Sequence, residues 1–135
     1  MILNKKKKKS FGLTIVKKRK KKVDSYVYGQ FTKQNSIFTL TNLRGDVKFV
    51  VSNGMNGFQN SKSKTKFATH STATKVAKQA RLLGYRRSIF ILKGKNRGRK
   101  RCIRLLRRGG LRIRKIIDQT PIIHNGCRPR KKARN

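Results

Sequence analysis

Ser88-Ile89-Phe90-Ile91-Leu92 is a near-continuous apolar run set between Arg86-Arg87 and Lys93-Gly94. Five residues of this kind, without polar alternation, read as a strand buried inside a sheet. Its flanks decide the fold class. Upstream, Ala73, Val76, Ala77, Ala80 and Leu83 recur at helical spacing, with Lys75, Lys78 and Arg81 mostly on other faces, and Gly84 stops the helix. That stripe is small and Ala-rich, suited to close packing on a sheet. Downstream, the basic stretch Lys93–Arg101 leads into a second helix with Cys102, Ile103 and Leu106 inward and Arg104, Arg107 and Arg108 outward, ending at Gly109-Gly110. Leu111, Ile113, Ile116 and Ile117 then form a last strand. Strand, helix, strand, helix, strand is the order of an α/β protein whose later strands are added by crossovers.

The segment before the first helix is of a different kind. Tyr26–Phe31 and Ser36–Thr41 are rich in aromatic and β-branched residues around the polar turn Thr32–Asn35, and read as a hairpin. Asn42–Asp46 is a second turn, with Gly45 placed for a positive φ, and Val47–Val51 a third strand. Ser52–Lys64 reads as a Gly/Asn/Ser loop. The sequence therefore predicts a mixed five-stranded sheet with two helices over residues 23–118. Residues 1–22 carry the runs Lys5–Lys9 and Lys17–Lys22 and read as a disordered basic arm that orders on RNA; residues 119–135 form an extended basic tail.

Charge bounds the function. Lys and Arg number 39, acidic residues three, and the formal net charge is +36. Such a body needs a polyanion against it, and each cation that neutralises a nucleic-acid phosphate releases a counterion. No run of about 18 apolar residues exists to cross a bilayer, so a membrane is not an expected partner. Asp24, Asp46 and Asp118, scattered among basic neighbours, make no carboxylate cage for metal-assisted phosphoryl chemistry, and His70 and His124 stand in unrelated contexts. The chain is expected not to be an enzyme and to need no cofactor. Cys102 and Cys127 form no CxxC pair; a zinc site would need His124 and Cys127 with distant partners, and two reduced thiols fit better.

Three stretches concentrate the candidate RNA contacts. The first is Asn53, Gly54, Gly57, Lys62, Lys64 and Lys66, where glycines let backbone approach phosphate and lysines add charge. The second is Lys93, Lys95, Arg97, Arg99, Lys100 and Arg101, a basic loop entering a helix N-terminus, with Arg99 the leading phosphate ligand because its planar fork binds in two places. The third is the tail, with His124, Asn125, Gly126, Arg128, Arg130, Lys131, Lys132 and Arg134. An architectural DNA-binding protein of histone-like character is the competing class, but it usually brings minor-groove arms on a dimeric frame.

The segment Ile117-Asp118-Gln119-Thr120-Pro121-Ile122-Ile123-His124-Asn125-Gly126-Cys127-Arg128-Pro129-Arg130-Lys131-Lys132 closely resembles the C-terminus of the universal small-subunit ribosomal protein eleven family. Asn53-Gly54 through Gly57-Phe58 to Lys66-Phe67-Ala68, and Lys93-Gly94 to Gly98-Arg99 with Ile103-Arg104, are similar to that family's glycine-rich loop and basic loop in the right order. The resemblance implies a ribonuclease-H-like core without nuclease activity. It also implies a place on the small-subunit platform beside the messenger exit path and exit-site tRNA, among neighbouring platform proteins, with the tail threaded between rRNA segments. It further implies isoaspartate at Asn125. Lys95, Asn96 and Arg97 replace the family's usual Gly/Pro alternation, which predicts a loop relying more on charge than on preset shape. Ile123 and Arg130 stand where Pro is common, and the turn Thr32–Asn35 is about two residues longer than in the bacterial pattern. Abundant Lys, Asn and Ile with five Ala and two Pro follow AT-rich codons, and Met1 begins the chain with no evident presequence. Both point to a mitochondrial ribosome, with plastid or bacterial cytoplasm as alternatives.

Overall fold

The computed structural model describes residues 23–96 and 98–131; the basic arm of residues 1–22, Arg97 and residues 132–135 lie outside them. The elements are β1 (Ser25–Phe31), β2 (Ser36–Thr41), β3 (Val47–Ser52), α1 (Lys66–Leu82), β4 (Arg87–Gly94), α2 (Arg99–Arg108) and β5 (Arg112–Asp118). They build one five-stranded sheet in the order β3-β2-β1-β4-β5. β1, β2 and β3 pair antiparallel, while β4 joins β1, and β5 joins β4, in parallel. The mixed five-stranded sheet with two helices expected from sequence is the one observed.

Local chemistry sets the turns. Thr32 and Asn35 close the hairpin, with Thr32 N–H donating to the Asn35 carbonyl at 2.9 Å and Asn35 N–H donating to Thr32 Oγ1 at 2.9 Å. In the next turn Asn42 Oδ1 accepts from the N–H groups of Arg44 (3.0 Å) and Asp46 (2.9 Å), and Gly45 takes φ +102°. This is the Asx-turn preference of Asn.

One face of the sheet carries the core. Val27, Phe31, Phe38, Leu40, Phe90, Leu92 and Ile113 alternate inward and meet Ala73, Val76, Ala77 and Ala80 of α1 and Cys102 and Leu106 of α2. Phe31 and Phe38 pack edge to face, their centroids 5.6 Å apart. Fully burying a side chain of this size contributes about 1.5–3 kcal/mol, so Phe38, Phe90 and Leu106, all fully buried, anchor the layer. The helices approach closely at Gly109, where an added Cβ would lie 2.3 Å from Ala77 Cβ.

Ile116 lies on β5 as expected, exposed on an edge strand with a neighbour on one side only. Two expectations change. Leu83 is 54% exposed, because α1 ends at Leu82 and the stripe has turned off the sheet by then. Ser52–Lys64 is not a plain loop but contains two 3-10 turns, Gly54–Asn56 and Asn60–Lys64. Their one apolar residue, Met55, is exposed, so no apolar period reveals them.

Candidate nucleic-acid interface

The C-terminal ends of β1, β4 and β5, the turn into β2, the end of β3 and the N-termini of both helices all lie at one pole of the sheet. The candidate residues gather here because the strand order brings their connections together. Asn53 is the pin of the glycine-rich segment. It is fully buried; its Nδ2 donates to the Ser63 carbonyl at 2.8 Å, and its Oδ1 accepts from Thr72 Oγ1 at 2.9 Å. Its carbonyl also accepts from Asn56 N–H and Phe58 N–H, both at 3.1 Å. Asn53 thus shapes the segment from inside, while Gly54, Gly57, Lys62, Lys64 and Lys66 stand exposed around it.

Asn96 does the same for the basic loop. Its Nδ2 donates to the Thr32 carbonyl (3.1 Å) and to Ser36 Oγ (3.2 Å), and its Oδ1 accepts from Gly98 N–H (3.2 Å). Side-chain hydrogen bonds therefore preset the loop that the missing prolines were expected to leave loose. Lys33, Lys64, Lys95 and Asn96 line a cleft of about 600 Å³. Sequence reasoning missed Lys33, which joins the site only because β1 lies beside β4. Lys93 is exposed but set apart: it lines the opposite sheet surface with Tyr28, Ile37 and Ile91.

Arg99 opens α2, yet its guanidinium is engaged within the protein. Nη1 donates to the Gly94 carbonyl at 2.8 Å and Nη2 pairs with Asp118. Hydrogen bonds from Thr120, then from Arg99, hold the Asp118 carboxyl down to about 2. This brace fixes the end of β4, the start of α2 and the root of the tail to one another. Lys100 and Arg101 next to it are exposed. With Arg104, Leu105 and Arg108 they line a groove of about 330 Å³ along the outer face of α2. Cations at a helix N-terminus oppose the dipole, and an anion against them relieves both. His70, on α1, has a buried Nε2 with no partner. Its burial, then the charges of Arg101 and Lys66, hold its pKa below the usual histidine value.

The tail leaves at a defined point. Gln119 N–H donates to the Leu92 carbonyl at 2.8 Å, and Gly94 N–H donates to Thr120 Oγ1 at 3.1 Å. From Pro121 to Lys131 every residue is exposed, His124, Asn125, Gly126, Arg128 and Arg130 included, with Ile122 and Ile123 about four-fifths in solvent. Asn125 takes φ +44°, and Gly126 has open space where a Cβ would sit. Arg97, Lys132 and Arg134 fall outside the described residues. Cys102 is buried, which pushes its thiol up to about 12, and Cys127 is exposed. Among the described residues no three metal-ligating side chains converge, and no helix is long and apolar enough to cross a membrane.

An α/β sheet backed by two helices, with cations, a pinned glycine segment and an unpacked basic tail at one pole, defines a basic scaffold suited to a polyanion. The profile of the ribosomal protein S11 family matches residues 26–134. Small ribosomal subunit protein uS11 of Treponema pallidum (strain Nichols) is 42% identical over 125 residues, covering 90% of this chain and 99% of that protein. Protein uS11m of Prototheca wickerhamii is 43% identical over 113 residues (84% and 88%), and uS11c of Guillardia theta 39% over 121 residues (90% and 93%). The chain belongs to the ribosomal protein S11 family, the small-subunit family its tail resembles, and so has a structural part in the ribosome.

Proposed function

We propose that this protein binds and organises small-subunit rRNA at the platform, near the messenger exit path and exit-site tRNA, beside neighbouring platform proteins. The observation that carries the reading is the single pole at which two internally pinned segments, the α2 N-terminus and the tail root meet. Preset backbone there presents exposed cations while the carboxylate nearest to them, Asp118, is already bonded to Arg99 and Thr120. The phosphate ligands at α2 are Lys100 and Arg101, with Arg99 holding the frame. Phe67, in the first turn of α1, 70% exposed and edge-on to Phe58 at 5.8 Å, offers a ring on which an unpaired base stacks.

The compartment proposed is the mitochondrion, supported by the Lys-, Asn- and Ile-rich composition and by the 43% identity to the uS11m protein. Charge reversal tests the site. Lys100→Glu with Arg101→Glu should leave the melting curve of the domain intact and remove the protein from small subunits in a sucrose gradient. Normal incorporation would make the α2 N-terminus a bystander. Sedimentation with chromosomal DNA that DNase abolishes would favour an architectural DNA-binding protein instead.

A further inference from the structure

The opposite pole of the sheet carries a second basic feature that none of the motifs above includes. Arg81 at the end of α1, Arg86 and Arg87 entering β4, Arg107 at the end of α2 and Arg112 opening β5 line one cleft of about 840 Å³. Backbone bonds fix the strands that carry them: Arg112 N–H donates to the Arg86 carbonyl at 2.8 Å, and Asp24 N–H to the Arg87 carbonyl at 2.7 Å. Arg81 lies over Gly110, where an added Cβ would sit 3.1 Å from its Nη1. Asp24 is the only acid in the cleft, and it is bound by Arg87 through Nε (3.2 Å) and Nη2 (3.1 Å). The other carboxylates lie elsewhere, Asp118 on Arg99 and Asp46 in the Asn42 turn. Among the described residues the guanidiniums of Arg81, Arg86, Arg107 and Arg112 therefore line the cleft without a carboxylate bonded to them, the one acid there being held by Arg87.

The bland explanation is that arginines at helix C-termini simply complement the dipole. Two helix ends supply about one negative charge between them, and Asp24 one more, so roughly three positive charges remain. Among the described residues the cleft holds five arginines and no lysine. The planar fork suits bidentate phosphate recognition where a lysine would offer a point charge.

We infer that this cleft is a second RNA-binding site, taking the sugar-phosphate backbone of RNA through Arg81, Arg86, Arg107 and Arg112. The inference rests on the RNA-binding reading above. β4 runs from one pole to the other over eight residues, about 26 Å at roughly 3.3 Å each. That is some three Debye lengths at physiological salt, so the cleft acts on phosphates other than those at the loop and the root of the tail. The protein then grips RNA at both ends of its sheet.

The test uses the full chain and a short RNA duplex of mixed sequence, with affinity measured against salt. Arg81→Gln, Arg107→Gln and Arg112→Gln together should lower the log–log slope by about three, near 0.9 for each phosphate no longer neutralised. A control triple with the same charge change at exposed sites, Lys48→Gln, Lys75→Gln and Lys78→Gln, should lower it by less than about one. Thermal melts verify folding, and an Arg→Lys triple, which keeps charge and fold, should restore most of the slope. Equal losses in the cleft and control triples would overturn the inference. So would an unchanged RNA slope with loss of binding to a polyglutamate peptide, which would assign the cleft to an acidic protein segment. A salt-insensitive wild type would sink the RNA-binding reading itself, whereas a steep wild type with an unaffected cleft triple sinks only this site.

Discussion

Gly94→Ala should be among the most damaging single-methyl changes in the chain. Gly94 sits at φ +85°, and an added Cβ would lie 2.0 Å from the Phe31 carbonyl oxygen. The left-handed conformation alone costs an alanine about 1–2 kcal/mol. The clash is with backbone, so β1 and β4 must part by more than an ångström where Phe31 pairs with Gly94. That separation also loosens the hydrogen bonds from Gly94 N–H to Thr120 Oγ1 and from Arg99 Nη1 to the Gly94 carbonyl. At roughly 1 kcal/mol for each bond, the total reaches about 3–4 kcal/mol. For a domain near 100 residues, about 4–8 °C per kcal/mol gives a fall in Tm of roughly 12–32 °C. Circular dichroism melts in moderate salt measure it, with Gly54→Ala as control, since Gly54 has ordinary φ and only Ser52 Oγ nearby at 3.8 Å. A Tm loss for Gly94→Ala no larger than that of Gly54→Ala would refute the close approach of β1 to β4.

Other outcomes follow from the same geometry. Deleting the chain after Thr120 should keep the melting temperature within a few degrees, because the Asp118 brace and the Gln119 and Thr120 bonds remain, yet gradient sedimentation should show poor entry into subunits. Asn125 should convert to isoaspartate in assembled particles, as its exposed Asn-Gly step with open space at Gly126 lets the backbone nitrogen reach the side chain. Asn53, buried and bonded at both side-chain atoms, should not; electron-based fragmentation of the peptides distinguishes them, and an unmodified Asn125 at full occupancy would end the proposal. Lowering the pH from 7.5 to 5.5 should destabilise the domain through His70. Its folded pKa is depressed, so below about 6.5 the unfolded chain takes up a proton that the folded one resists. His70→Gln should flatten that part of the Tm–pH curve, and an unchanged curve would count against the depressed pKa of the partly buried imidazole.

The elements that pack through apolar contact could be read from the chain. Ser36–Thr41 was legible to the residue, and the Ala stripe of α1 and the Cys102–Leu106 face of α2 bury as their spacing requires. What escaped reading is held by polar chemistry without a period. The first turn of α1 is capped by Thr65 Oγ1, which accepts from Ala68 N–H at 3.2 Å, and its Thr69 and Thr72 are buried against Ser36 and Asn53. Lys33 and Asn96 meet across 60 or more residues, and only the β1–β4 pairing reveals them as neighbours. The cleft arginines were visible singly, as outward or strand-flanking charges. Their convergence depends on which ends of which strands share a pole, and the strand order alone supplies that. Arg99 looked like a free fork because its partner Asp118 is nineteen residues away.

Ultraviolet crosslinking of the tagged chain in native ribosomal particles, with sequencing of the bound RNA and mapping of the attached peptides, bears most directly on the RNA-binding role. Crosslinks should fall on small-subunit rRNA from the peptides spanning residues 94–101 and 121–131. Crosslinks confined to other RNA or to DNA, or their absence from both peptides in particles that contain the chain, would contradict it.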